Sequence, residues 1–93
     1  MKYKVKELVM TCDECPSQWE AKLEDGRMMY FRYRWGFLDI SISEITTDDV
    51  MKAVGGTIIY SESHGHSMDG VMNTEELIKL TKHLIKYPKE YRR

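Results

Sequence analysis

The stretch that decides the fold is residues 18–42, QWEAKLEDGRMMYFRYRWGFLDISI. Within it, apolar residues recur at every second position along three runs, as half-buried strands require. Two short breaks that contain glycine separate the runs, so the chain must turn back on itself twice. We therefore predict two consecutive hairpins, which together form an antiparallel meander.

The turn chemistry of these two breaks fixes the register. Glu24-Asp25-Gly26 suits a three-residue loop with Gly26 in the left-handed conformation, which places Trp19 opposite Phe31. Trp35-Gly36 predicts a two-residue loop in which both residues take positive φ, a strain that glycine accepts more easily than tryptophan. Both registers put the apolar residues on one predicted core face, which comprises Trp19, Ala21, Leu23, Met29, Phe31, Tyr33, Leu38, Ile40 and Ile42.

The flanking segments add strands and a short helix. Residues 3–11 are predicted as a first strand, and the β-branched residues 57–61 as a fifth. Between them Thr46 is the expected N-cap of a short helix, which Gly55-Gly56 ends after barely two turns.

The strongest helix signal lies near the C-terminus. Asn73 is the predicted N-cap and Glu76 completes a capping box, and Pro88 is expected to stop the helix. The apolar stripe of this C-terminal helix is expected to pack on the sheet. The predicted fold class is therefore α+β, an antiparallel β-meander of about five strands with a short helix and a C-terminal helix packed on one face, in a single domain of residues 1–93.

Charge and hydropathy limit the classes of function. Lys plus Arg total 14 against 15 for Asp plus Glu, so no overall field favours nucleic acid or an anionic membrane. The sequence has neither an apolar run long enough to span a bilayer nor a signal-peptide pattern, so we expect a cytoplasmic protein. The two cysteines, Cys12 and Cys15, are expected to be reduced.

The face of the meander opposite the core carries the leading candidate site. Arginine offers a planar fork of donors that matches carboxylate or phosphate, and an exposed aromatic ring can stack on a ligand. An alternative is that Arg32 pairs with Asp39 and Glu20, so that this face is only a solvated array of cross-strand charges. The predicted ligand-binding residues are Glu20, Tyr30, Arg32, Arg34 and Trp35.

A second candidate site involves the cysteines and histidines. Cys12 and Cys15 have the spacing of a zinc knuckle, and His64 and His66 would complete four ligands if the fifth strand ended near the first turn. Alternatively, His64, His66 and Asp69 would form an iron or catalytic site in the loop of residues 62–69. No recognisable catalytic motif frames these histidines, so no cofactor is predicted and a non-enzymatic role is favoured.

The meander resembles a group of short, uncharacterised proteins encoded in bacteriophage and prophage genomes. The resemblance rests on CPSQWE at residues 15–20, DGR at 25–27 and YFRYRWG at 30–36, with weaker likeness in HG at 64–65, DGV at 69–71 and TEEL at 74–77. It implies no established activity or cofactor. It does imply a context in which small proteins act by binding a host protein, a nucleic acid or a nucleotide.

These observations favour a binding module over an enzyme. The expected partner is a host protein or an anionic ligand, with no strong signal for nucleic acid and none for a membrane. An exposed first or fifth strand would also allow two copies to pair edge to edge as a homodimer.

Overall fold

The computed structural model describes residues 2–14, 16–64 and 71–91. In this part of the chain one six-stranded sheet has the strand order β5-β4-β3-β2-β1-β6. The α+β class is confirmed. The strands are β1 (Tyr3–Cys12), β2 (Ser17–Leu23), β3 (Arg27–Arg34), β4 (Phe37–Thr46), β5 (Thr57–Ser63) and β6 (Ile85–Lys86), and the helices are α1 (Met51–Val54) and α2 (Thr74–Thr81).

The two central hairpins have the predicted registers. Trp19 lies opposite Phe31 in the β2–β3 pair, and Phe31 lies opposite Ile40 in the β3–β4 pair. Gly26 has a φ of 92°, and Trp35 and Gly36 have φ values of 58° and 74°. Both turns thus use the left-handed conformations that the sequence required.

All nine residues of the predicted core face are buried. The Trp19 ring meets the Phe31 ring edge-on at 6.4 Å, and its indole N–H donates to the Thr74 hydroxyl at 3.0 Å. Leu77 of α2 is fully buried in the same cluster, so α2 packs on this face as expected. Asn73 caps α2 by accepting the Glu76 N–H at 2.8 Å.

The C-terminal part of the fold differs from the prediction. α2 ends at Thr81, and Ile85–Lys86 then pairs in parallel with Tyr3 and Lys4 as β6. The sheet is therefore mixed and has a sixth strand, so an all-antiparallel meander of about five strands was wrong. Pro88 lacks the N–H that a continuing strand would need, which accounts for the shortness of β6.

The short helix also begins later than predicted. β4 continues to Thr46, and the N-cap of α1 is Val50, which makes no capping bond with its side chain. The prediction of Thr46 as N-cap was wrong because strand pairing extends that far, with Thr46 opposite Arg27.

α1 packs against β3 and β4, outside the main core. Met28 of β3 and Ala53 of α1 are buried there, apart from the core cluster. Lys22 reaches the same segment, where its ammonium donates to the Thr47 carbonyl at 2.7 Å. The face of the sheet opposite α2, called the outer face from here on, is thus covered at its Met28 end and open at the end that carries Arg32.

Candidate functional site

Alternation along β3 places the predicted site residues on the outer face. Met29, Phe31 and Tyr33 are buried in the core, whereas Tyr30 and Arg32 are partly buried and Arg34 is exposed. Because successive side chains of a strand point to opposite faces, Tyr30, Arg32 and Arg34 share the outer face. The structure therefore brings these three predicted residues together.

Arg32 lies between Gln18 of β2 and Asp39 of β4, which are its direct partners in the two ladders. Among the described residues Arg32 makes no salt bridge, and its Nε is buried without a hydrogen-bond acceptor. Asp39 instead accepts a hydrogen bond from the Ser61 hydroxyl at 2.7 Å. Arg32 therefore does not form the ion pairs with Asp39 and Glu20 that the alternative interpretation of this face included.

Tyr30 and Glu20 are direct partners in the β2–β3 ladder. Burial raises the pKa of Tyr30 above its usual value, and the Glu20 carboxylate adds to that rise, while Arg32 and a hydrogen bond from Gln18 oppose it. The Tyr30 hydroxyl accordingly stays protonated at neutral pH. It offers a neutral donor beside the Arg32 guanidinium.

The turn between β3 and β4 carries the most exposed aromatic ring of the site. Trp35 is 51% exposed, and the Arg34 guanidinium lies over its ring at 5.1 Å from the centroid. Arg34 is also the direct ladder partner of Phe37, which is 40% exposed. An exposed cation–ring stack with a second exposed ring on the neighbouring strand is the kind of surface whose burial by a partner is favourable.

These side chains line a single open groove of about 330 Å³. Three of the five predicted residues line it and two do not, because Glu20 and Tyr30 pair two positions further from the β3–β4 turn than Arg32, toward the covered Met28 end. Sequence reasoning did not include Phe37 or Asp39 in the site, although the predicted two-residue turn places them opposite Arg34 and Arg32. The lining residues are Arg32, Arg34, Trp35, Phe37 and Asp39.

Comparison of the chain with protein-family models, with curated proteins and with solved structures finds no match. The interpretation of the groove therefore rests on its own chemistry. Within the described part of the chain, no helix is both long enough and apolar enough to cross a membrane.

The predicted metal ligands do not converge where the structure describes them. Cys12 ends β1 and His64 follows β5. Three other strands lie between β1 and β5 in the sheet. Four strand spacings correspond to about 19 Å in a flat sheet. Cys15, His66 and Asp69 lie outside the described residues, and the remaining residues contain no cluster of three or more metal-binding side chains.

His64 instead belongs to a small polar cluster at the β5 edge of the sheet, on the face that carries the core. Its ring stacks on Tyr60 and its Nε2 is hydrogen-bonded to the Tyr60 hydroxyl, and Glu62 lies 3.9 Å from the same nitrogen. Burial, with a contribution from Glu62, raises the pKa of Tyr60 to about 12. The His64 backbone N–H donates to the Gly36 carbonyl at 2.7 Å, which ties the end of β5 to the turn that carries Trp35. This cluster therefore braces the turn.

Proposed function

We propose that this protein is a small non-enzymatic binding protein that engages a host protein or an anionic ligand through the outer face of β3 and β4. Its contact residues are Arg32, Arg34, Trp35 and Phe37. Tyr30 and Glu20 lie next to Arg32 on the same face. The resemblance of the meander to short phage and prophage proteins agrees with a binding role in a bacterial cytoplasm, by analogy only.

The observation that carries this proposal is the state of Arg32. Its Nε is buried without an acceptor, and its guanidinium makes no ion pair with any described residue. Leaving a charged donor buried and unsatisfied is costly, so native proteins rarely do it without a functional reason. An anion in the groove would pair with the outward guanidinium nitrogens of Arg32, since this residue lines the groove, and arginine binds such groups with charge-assisted hydrogen bonds.

The chemistry of the groove favours binding over catalysis. Its lining supplies two guanidinium groups, two aromatic rings and one carboxylate, and that carboxylate is held by Ser61. A nucleophile within reach of a base, which acyl or phosphoryl transfer to the protein would need, is not among the lining residues. Arginine and tryptophan are instead the side chains that most often dominate binding energy at interfaces.

The test compares three immobilised proteins in capture from bacterial lysate: the wild type, an Arg32→Ala/Trp35→Ala variant and an Arg27→Ala control. Arg27 is a matched control because it lies on the same strand but is already paired with Asp25 at 2.8 Å. We expect the same captured proteins with wild type and control, and their loss with the double variant. Circular dichroism checks that all three are folded.

A second arm covers ligands too small to be captured. The low-molecular-weight fraction of the same lysate is titrated into ¹⁵N-labelled protein while the Arg32 Nε–Hε and Trp35 indole signals are followed by NMR. Shifts confined to the groove support the proposal. Identical capture by all three proteins, together with unmoved groove signals, refutes it.

A further inference from the structure

The balance of charge around the groove restricts the kind of anion that it accepts. Arg32 and Arg34 are the cations on this part of the outer face. Asp39 is the direct ladder partner of Arg32, and Glu20 lies one outward-facing pair away, opposite Tyr30. The local charge therefore sums to about zero, and the whole chain has a formal charge of −1. Nucleic acids are bound mainly through many phosphate contacts by clustered cations, and this surface has too few.

Asp39 limits the advantage of a highly charged anion at Arg32. It is the direct cross-strand partner of Arg32, so the two side chains leave the sheet about 5 Å apart. A group bound to Arg32 must therefore lie close to the Asp39 carboxylate. The attraction to Arg32 and the repulsion from Asp39 scale alike with the charge of the ligand and largely cancel, so a phosphate dianion has little advantage over a carboxylate here.

The groove has a repeat that matches an extended peptide. Two cross-strand residue pairs, called rungs here, face the groove: Arg32–Asp39 and Arg34–Phe37. The pair between them faces the core. Two residues of a strand span about 7 Å, and alternate side chains of an extended ligand have the same spacing. A ligand side chain on Arg32 would thus be two residues away from one over Arg34, Phe37 and Trp35.

The second rung suits an aromatic side chain. The Arg34 guanidinium already lies over the Trp35 ring at 5.1 Å, and Phe37 and Trp35 both expose a large part of their rings. An aromatic ring placed here would stack on planar groups and remove apolar surface from water.

We infer, on the basis of the function proposed above, that the ligand is an extended acidic peptide segment of a partner protein. In this segment an Asp or Glu pairs with Arg32, and an aromatic residue two positions away covers the Arg34–Trp35 stack and Phe37. The partner is therefore recognised by an acidic residue and an aromatic residue with one residue between them.

The experiment is selection from a displayed library of random heptapeptides on the folded, immobilised wild-type protein, followed by calorimetry on one enriched peptide. We expect enrichment of an acidic residue and an aromatic residue two positions apart, in either order. Changing the acid to its amide, or the aromatic residue to Ala, should weaken binding by about tenfold or more, because each removes a principal contact. Moving the two residues one position closer together should do the same.

Matched variants separate this site from general charge effects. Arg32→Gln should abolish the enrichment, whereas Arg27→Gln should preserve it. Enrichment without acidic residues, or affinity that ignores the two-residue spacing, overturns the inference.

Two further probes distinguish the inference from the broader proposal. Inorganic phosphate and a short oligothymidylate are titrated while the Arg32 Nε–Hε signal is followed by NMR. If either one binds through Arg32 and no acidic peptide does, the peptide inference fails while anion binding at the groove stands. If no peptide, phosphate or oligonucleotide moves that signal, both fail.

Discussion

Replacement of Trp35 by Asn should make the protein more stable while it weakens ligand binding. Trp35 has a φ of 58° and precedes Gly36 at 74°, in a two-residue turn for which Asn-Gly is the preferred pair. The left-handed conformation costs a residue other than glycine about 1–2 kcal/mol, and Asn tolerates it better than most. Against this gain stands the loss of the Arg34 contact at 5.1 Å, worth about 0.5–1 kcal/mol at an exposed site.

The difference between these two terms lies between about 0 and 1.5 kcal/mol, so we expect Trp35→Asn to stabilise the fold by about 0.5–1 kcal/mol, in the middle of that range. For a domain of this size it corresponds to a rise in Tm of about 2–8 °C. Urea and thermal unfolding followed by circular dichroism measure it, since Trp19 is fully buried and complicates a fluorescence readout. Trp35→Phe is the control, because it keeps both the positive φ and an aromatic ring on Arg34.

The reasoning about the turn is refuted if Trp35→Asn lowers Tm while Trp35→Phe leaves it unchanged. That result would mean that the aromatic stack contributes more to folding than the backbone conformation costs. The exposed indole would then have a structural explanation, and its place in the binding proposal would lose its support.

Gly56→Ala should destabilise the fold by about 3 kcal/mol or more, because the added Cβ would lie 2.0 Å from the Ile42 carbonyl oxygen. Gly55→Ala is the matched control, where the nearest atom is 3.8 Å away, and its change in urea midpoint should correspond to less than about 0.5 kcal/mol. Stability should also fall as the pH rises above 10, because burial raises the pKa of Tyr87 well above its usual value while the unfolded chain ionises normally. Urea unfolding between pH 9 and about 11.5 should therefore show a shallower decline for Tyr87→Phe than for the wild type.

The central hairpins could be predicted because two independent signals agree there. Gly26 and Gly36 specify turns of known length, and each turn length makes Trp19, Phe31 and Ile40 share one face. A slip of one residue would have turned the whole set to solvent, so a buried face fixes the register strongly. The positions of Arg32 and Asp39 follow from the same register.

The ends of the chain could not be predicted in the same way. Ile85 lies on the apolar stripe of a helical pattern, yet it is buried as part of β6 beside Tyr3. Pairing in parallel with β1 is a long-range contact that periodicity within one segment does not encode. The start of α1 was missed for a similar reason, since pairing with β3 keeps Thr46 in β4.

The absence of an ion pair at Arg32 could not be predicted from the sequence either. Its register position beside Asp39 predicts a cross-strand ion pair, and only the side-chain geometry shows that Asp39 is held by Ser61 instead. A register gives the distance between two backbones, but it does not decide which of several polar neighbours a flexible side chain chooses.

Two features that cost folding stability lie in the same groove, and this coincidence is the strongest argument for a function of the groove. Away from the groove Asn73 caps α2 and Gly26 takes the positive φ of its turn, while Val50 leaves α1 without a side-chain cap. Trp35 adopts the strained conformation while half exposed, so burial does not compensate for it, and Arg32 keeps a buried Nε without an acceptor. A separate structural cause for each would leave their proximity unexplained. Since both side chains line one groove, a single bound partner would offset both costs, as expected where stability is given up for binding.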